Sequence, residues 1–356
     1  MKKQHTKYLF KIIILFFVFQ FIPTRFLEHS NSILATFIKN KKLIDKTITY
    51  PYLSGTCLFF ISDHVYVEHL KTAEQTNRIK NGDIIFVATN LLDRFFEQVY
   101  PKIDKHFLLI SHHDDDSTNP KHEKYLSNRN TKILAWYSDN PGFFHSKHLA
   151  LPLGFQSNYL RGFKFNHRTL DTALRLAMGM TIQSEERVKF IRSLKIENLI
   201  PWKNRKFTMY VNFYVHKKKH SEEDPGGRRE LRNYFKKYKN FSKIYQVDRE
   251  DYFSYMNSLA NSKFVLCPQG FGLDTHRYAE AILMGAIPIV QNSTLYSLFI
   301  RSTTLILDDL RDLTQHMLDH PELYIKNMNF SRDAILMDYW QKEFNSFRSN
   351  QTYIIH

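Results

Sequence analysis

Strand-like runs alternating with helical ones on both sides of a break near residue 200 predict an α/β protein. It is expected to have two lobes with a cleft between them, preceded by an N-terminal membrane anchor helix. Three observations carry this expectation. Short apolar runs are separated by stretches of helical period, which is the pattern of parallel sheets with crossover helices. Pro201-Trp202 interrupts that alternation, which then begins again. Lys2, Lys3 and Lys7 stand ahead of an apolar run from Ile12 to Ile22, the charge asymmetry of an inserted segment.

The elements follow in chain order. The apolar run is short for a span, but Lys11 can snorkel and let the helix start near Tyr8. No small-residue cleavage site follows it, so an uncleaved anchor is favoured over a signal peptide. The expected division is 1–25 for cytoplasmic tail and transmembrane anchor, 26–50 for a stem, 51–200 for an N-terminal α/β lobe, and 201–356 for a C-terminal α/β lobe with closing helices. Cys57–Ser62, Asp83–Ala88, His106–Ser111, Lys132–Tyr137 and His148–Pro152 read as strands of the first lobe, with Leu91–Tyr100 as a helix. Leu170–Asn198 turns helical. In the second lobe, strands are expected at Phe207–Tyr214, Ile244–Val247, Lys263–Cys267, Ala286–Val290 and Leu305–Leu307. Helices are expected at Arg228–Tyr238, Asp251–Ala260 and Thr275–Met284, and an amphipathic stretch runs from Pro321 to Phe347.

Composition narrows the function. The 356 residues carry a formal charge of +15, with 43% hydrophobic and 15% aromatic residues, enough for a sizeable core. The longest basic cluster, Lys217 to His220, is balanced by Glu222, Glu223 and Asp224, and no stretch interleaves aromatic and basic residues as single-strand binders do. A basic cleft for an anionic substrate is the better reading, and no nucleic-acid partner is expected. Two cysteines, Cys57 and Cys267, make neither a disulfide scaffold nor a zinc site. Sequons at Asn240, Asn292, Asn329 and Asn350 are compatible with a lumenal body.

The most informative passage runs from Ser262 to Val290 as strand, glycine loop, helix, tight turn and strand. Gly270 and Gly272 let a ligand approach the main chain. Asp274 can cap the helix that starts at Thr275, and Gly285 supplies its left-handed stop. Free N–H groups at that helix start, around Thr275 and His276, form an anion site at a strand's carboxyl end. Arg277 and Glu280 share one helix face. The guanidinium can meet a diphosphate, and the carboxylate can accept from ribose hydroxyls. An ordinary Arg–Glu surface pair is the plainer alternative, which the glycine loop before it and the apolar strand after it make less apt.

This passage resembles the exostosin family and its relatives among the two-lobed (GT-B) glycosyltransferases. The shared elements are Ser262 to Gly270, Arg277 to Ala281, and Gly285 to Val290. The first half is also similar to an exostosin-like branch, through Gly82 to Val87, Leu91 to Phe96, Leu108 to His112, Ala135 to Asn140 and Leu151 to Phe155. The resemblance implies two Rossmann-like lobes and an inverting transfer from a nucleotide sugar, a UDP-sugar above all, with no cofactor and no catalytic metal. It implies a donor site in the C-terminal lobe and a glycan or glycoprotein acceptor on the N-terminal lobe. A further basic residue on the phosphates is then Arg228 or Arg229. The implied setting is a single-pass type II protein of the Golgi or ER.

Direct displacement needs a base. His113, Asp114 and Asp116 follow a strand ending at Ser111, and a solvated loop is the plain alternative there. Asp114 and Asp116 are also spaced for Mg²⁺ or Mn²⁺, which would make a metal-dependent transferase. Asp139 and Asn140, past the next strand, are expected to meet the acceptor. His145 and His148 read as surface or turn residues, and Trp202, Tyr210 and Phe213 as core. A nucleotide-binding protein without turnover is the competing class.

Overall fold

Among the described residues, ten short strands form two all-parallel sheets of five. The computed structural model describes residues 49–66, 76–156, 183–213, 215, 227–237, 244–246 and 250–350. The expected anchor, the stem up to residue 48, the helical stretch 170–182 and Asn240 lie outside them. Among the described residues, no helix is long and apolar enough to cross a membrane.

The first sheet runs in chain order: β1 (His64–Tyr66), β2 (Asp83–Ala88), β3 (Phe107–His112), β4 (Ile133–Ser138) and β5 (His148–Ala150). Every residue of β3 is buried. A run with no polar alternation needs cover on both faces, which a central parallel strand receives. Leu109 pairs with Ile85 on one side and Trp136 on the other. Phe95, Phe96 and Val99, from the turns after β2, close one face. That segment, expected as one helix, breaks into a single α-turn, a π-turn over Phe95–Val99 and a 3₁₀ turn ending at Lys102, with Pro101 inside the last of these.

Cys57–Ser62 is not a strand. Gly55–Ile61 forms helix α1, and the Ser54 hydroxyl accepts from the Cys57 N–H at its start. A short, wholly apolar run has no period to separate the two conformations, and here the cap decides. Phe59 of α1 meets Phe86 edge-on with centroids 5.8 Å apart.

The second sheet comprises β6 (Phe207–Val211), β7 (Ile244–Gln246), β8 (Ser262–Leu266), β9 (Ile287–Gln291) and β10 (Leu305–Leu307) in the order β10-β9-β8-β6-β7. The chain reverses direction across the sheet between β6 and β8. Such a switch point opens a crevice at the carboxyl ends of the two strands, where the segment 267–275 emerges. Around it stand α2 (Gln183–Ser193), α3 (Arg228–Lys237), α4 (Tyr252–Ala260) and α5 (His276–Leu283). Asp251 caps α4 by accepting from the N–H groups of Phe253 and Ser254.

The stretch from Pro321 gives a helix only at α6 (Met337–Asn350). Sequence reading groups it with the second lobe, and it does bind Arg301 there, through Tyr339 and Glu343, but it packs on the first lobe as well. The Tyr137 ring lies 4.9 Å from Phe344 and 6.2 Å from Trp340, and Arg348 Nε donates to the Gly82 carbonyl at 2.8 Å. Residues 47–356 form one compact unit.

Candidate functional site

The switch-point crevice is shaped by main-chain geometry first. Gly270 N–H donates to the Gly272 carbonyl at 3.0 Å, which folds the loop after β8 into a tight turn. Arg228, at the first turn of α3, donates from Nε to the Gln269 carbonyl at 2.7 Å and from Nη2 to the Pro268 carbonyl at 3.1 Å. Its guanidinium braces the loop. A Cβ on Gly270 would stand 3.1 Å from Arg228 Nη2. Arg229 is exposed.

Helix α5 then carries Arg277 and Glu280 toward α4. Glu280 is 7% exposed, and the Tyr255 hydroxyl donates to its Oε2 at 2.8 Å. Burial pushes the Glu280 carboxyl above its ordinary range, opposed by the Tyr255 hydroxyl, Arg277, Arg187 and Tyr252. Tyr252 and Tyr255 are one turn apart on α4, the spacing that puts both on one face. Arg187 of α2 stacks over the Tyr252 ring at 4.6 Å. These partners of Glu280 lie too far along the chain for a local motif to reveal.

Arg277 is half-buried, and its guanidinium carbon sits 5.4 Å over the Tyr255 ring. Its Nη1 is sealed from solvent and has no hydrogen-bond partner. Burial works against its charge, but Tyr255, Cys267, Tyr210 and Glu280 outweigh this and hold its pKa above the usual value. A buried charged donor without an acceptor costs about 1–3 kcal/mol or more, so it marks a place built for something absent. Cys267, beside it, is a free buried thiol, as is Cys57.

The mouth of α5 differs from the sequence expectation. Thr275, not Asp274, occupies the N-cap position, and its side chain caps nothing. Asp274 Oδ1 accepts from the Thr275 N–H at 2.6 Å, and its Oδ2 accepts from the Leu153 N–H at 2.9 Å. His276 Nδ1 lies 2.7 Å from the Gly154 carbonyl. Asp274 and His276 therefore join the helix mouth to the first lobe, and Asp274 takes up one of the amides expected to be free. Burial pushes the Asp274 carboxyl up to about 7, opposed by the two amides. Gly285 has φ +70°, the expected left-handed stop of the helix. A Cβ there would meet Arg205 Nη2 at 2.8 Å. That buried guanidinium, missed in the sequence, donates to the Met284 and Ser262 carbonyls.

The first lobe also alters the expected roles. Asp139 is fully buried, which removes it from direct contact with an acceptor. Its Oδ2 lies 3.4 Å from His112 Nδ1, but that nitrogen accepts the His113 N–H at 2.8 Å. Neither Asp139 oxygen has a hydrogen-bond partner. Burial, aided by Asp274, Asp115 and Asp114, pushes the carboxyl well up. His113 adopts φ +81°, and its ring lies 5.1 Å from Phe86. Burial holds that imidazole down to about 3, so it is a poor proton acceptor. Asp116 is exposed and Asp114 half-buried on the loop after β3. Among the described residues, no three His, Cys, Asp or Glu side chains are placed to hold a metal ion.

Asn140, 3% exposed, bridges the lobes instead of facing solvent. Its Nδ2 donates to the Asp114 carbonyl at 3.3 Å and its Oδ1 accepts from the Leu273 N–H at 2.7 Å. His148 is also no surface residue: it packs 4.3 Å from Phe143 and 4.7 Å from Trp136. Tyr210 and Phe213 are core, and Trp202 is partly buried, with Nε1 donating to the Lys263 carbonyl.

Two parallel α/β sheets place a glycine loop and a basic helix beside the switch point, and this is the candidate site. Residues 228–344, about a third of the chain, match the RXYLT1 C-terminal domain. No curated protein matches the chain. Among solved structures, it is similar to a chain of the GtfA/B complex at 12% identity and TM-score 0.35, covering 83% of this chain and 61% of that one. Sucrose-phosphate synthase from Thermosynechococcus elongatus is 14% identical at TM-score 0.32, covering 76% and 72%. The α,α-trehalose 6-phosphate synthase from Burkholderia multivorans is 11% identical at TM-score 0.33, covering 80% and 75%.

Proposed function

We propose that the chain transfers a sugar from a nucleotide-diphosphate sugar, a UDP-sugar first among them, to a hydroxyl of a glycan or glycoprotein. The reading includes inversion at the sugar carbon and no catalytic metal. It also includes an N-terminal anchor that holds the body in the lumen of the Golgi or ER. The observation that carries it is the unpartnered Nη1 of Arg277 at the switch point.

As the bond from the anomeric carbon to the β-phosphate oxygen breaks, charge builds on the leaving diphosphate. A guanidinium held without a competing acceptor is strengthened by its low-dielectric surroundings and is pre-aimed at that charge. Glu280, with one oxygen already on Tyr255, fixes the face that Arg277 presents and retains acceptor capacity for a ribose hydroxyl. The acceptor oxygen attacks from the opposite face and gives its proton to a carboxylate. Asp114 and Asp116 fit this role better than Asp139 or His113, which burial withdraws.

The test is to incubate the full chain with a panel of nucleotide sugars and measure release of nucleoside diphosphate, with and without glycan acceptors. Release that is lost in Arg277→Ala supports the transferase. Nucleotide binding with no release under any acceptor would instead show a sensor.

A further inference from the structure

One buried side chain touches both loops that the transfer would have to bring together. Asn140 lies two residues past β4, where its main chain is pinned. Its N–H donates to Ser138 Oγ at 3.2 Å, and its carbonyl accepts from the Thr118 N–H at 2.9 Å. The side-chain amide is thus presented from a rigid base. One end reaches the Asp114 carbonyl, on the loop with the exposed carboxylates. The other reaches the Leu273 N–H, 133 residues along the chain on the glycine loop. Opposite that amide the loop has no side chain, since a Cβ on Gly272 would fall 2.8 Å from both Oδ1 and Nδ2. Gly272 therefore serves a close approach between lobes more than an approach by ligand.

We infer that Asn140 is a positioning residue: it sets the distance and register between the Asp114–Asp116 loop and the 268–274 loop, without itself touching substrate. The inference rests on the transferase reading above. An amide is the group this place requires. It must donate toward a carbonyl and accept from an N–H at once, which neither a carboxylate nor a hydroxyl does in a fixed orientation. Its neighbour Asp139, with Asp114 and Asp115 nearby, makes an additional carboxylate there unfavourable.

Three variants separate the two arms. Asn140→Ala removes both bonds. Asn140→Asp keeps the acceptor toward Leu273 N–H and loses the donor toward Asp114. Gly272→Ala leaves Asn140 intact and forces the loops apart by the added methyl. Arg277 and the Arg228 brace stay in place in all three. UDP affinity by calorimetry is then expected to stay within about threefold of wild type, while kcat for transfer falls about 10- to 100-fold, the cost of roughly 1 Å of misplacement. Donor KM is expected to move less than kcat.

A kcat within about threefold of wild type in both Asn140→Ala and Gly272→Ala overturns the inference. So does UDP affinity that drops in step with kcat, because Asn140 would then serve the donor pocket or the fold as a whole. A wild-type chain that releases no nucleoside diphosphate from any donor fails at the earlier step, and takes both readings down together. An active wild type beside unaffected variants removes only this one.

Discussion

Replacing Arg277 with Met tests the site most sharply, because the same change acts on stability and affinity through different terms. In the protein without ligand, Nη1 is buried and unpartnered. An unsatisfied charged donor costs about 1–3 kcal/mol, which Met removes while filling similar space. Against this, Glu280 loses a nearby cation. It keeps Arg187 and the hydroxyls of Tyr255 and Tyr252, so the loss is of the same order. The two largely cancel, and stability is expected to change by no more than about 1–2 kcal/mol. Affinity for a diphosphate has no such compensation. A guanidinium fork supplies two charge-assisted hydrogen bonds at about 1.5–3 kcal/mol each, so Arg277→Met should weaken UDP binding by at least about 100-fold. Arg277→Lys keeps the charge and loses the fork, and should fall between. Denaturant midpoints and titration calorimetry on the full chain give both numbers. UDP bound within about tenfold of wild type by the Met variant would refute the reasoning, as would a stability loss above about 3 kcal/mol, the mark of a merely structural arginine.

Asp274 predicts a pH dependence. Its carboxyl shifts from 3.8 to about 7 on folding. Below about pH 4 both states hold the proton, and this group's contribution is fully present. Between about 4 and 7 only the unfolded chain releases it, so stability falls as pH rises and levels off above 7, by up to about 4 kcal/mol. Asp274→Asn should flatten that decline in urea titrations from pH 4 to 8, and parallel curves for variant and wild type would count against it. Trp340, fully buried with Nε1 donating to the Ala334 carbonyl, should cost about 3–5 kcal/mol when cut to Ala, read as a denaturant midpoint shift. Transfer by the full chain should persist in excess chelator; activity lost in EDTA and restored by Mn²⁺ would return Asp114 and Asp116 to a metal-binding role.

Much of the fold was legible because parallel strands covered on both faces read as unbroken apolar runs. Asp83–Ala88 and Leu305–Leu307 fall where expected, most of the other expected strands shift by a residue or a few, and the short strand His64–Tyr66 was not foreseen. The short apolar run at Cys57 was not legible, since a strand and a buried helical turn look alike at that length. Of the candidate site, the placement of Arg277 and Glu280 on one face was legible, as their spacing requires. What was not legible is which side of each strand end is covered. Asp139 sits at a sheet's carboxyl edge, as expected of a substrate contact, yet it is fully buried. Asp274 binds an amide 121 residues away. Local periodicity carries no information about such a partner.

On the transferase reading, the seam between the lobes explains why an anion would fall to a guanidinium and not to the helix mouth alone. A helix start favours one negative group, and near it a second anion must overcome repulsion from the first. Asp274 already stands beside that position and uses both oxygens, one on the Thr275 N–H of its own helix mouth and one on the Leu153 N–H of the first lobe. A diphosphate arriving at the switch point therefore finds the Thr275 amide engaged, and a carboxylate beside it whenever Asp274 is ionised. Arg277, in the first turn of the helix and unpartnered at Nη1, is a cation placed to oppose that charge. On that reading, joining the lobes and binding the anion are divided between neighbouring residues, with Asp274 and His276 holding the lobes and Arg277 proposed for the anion.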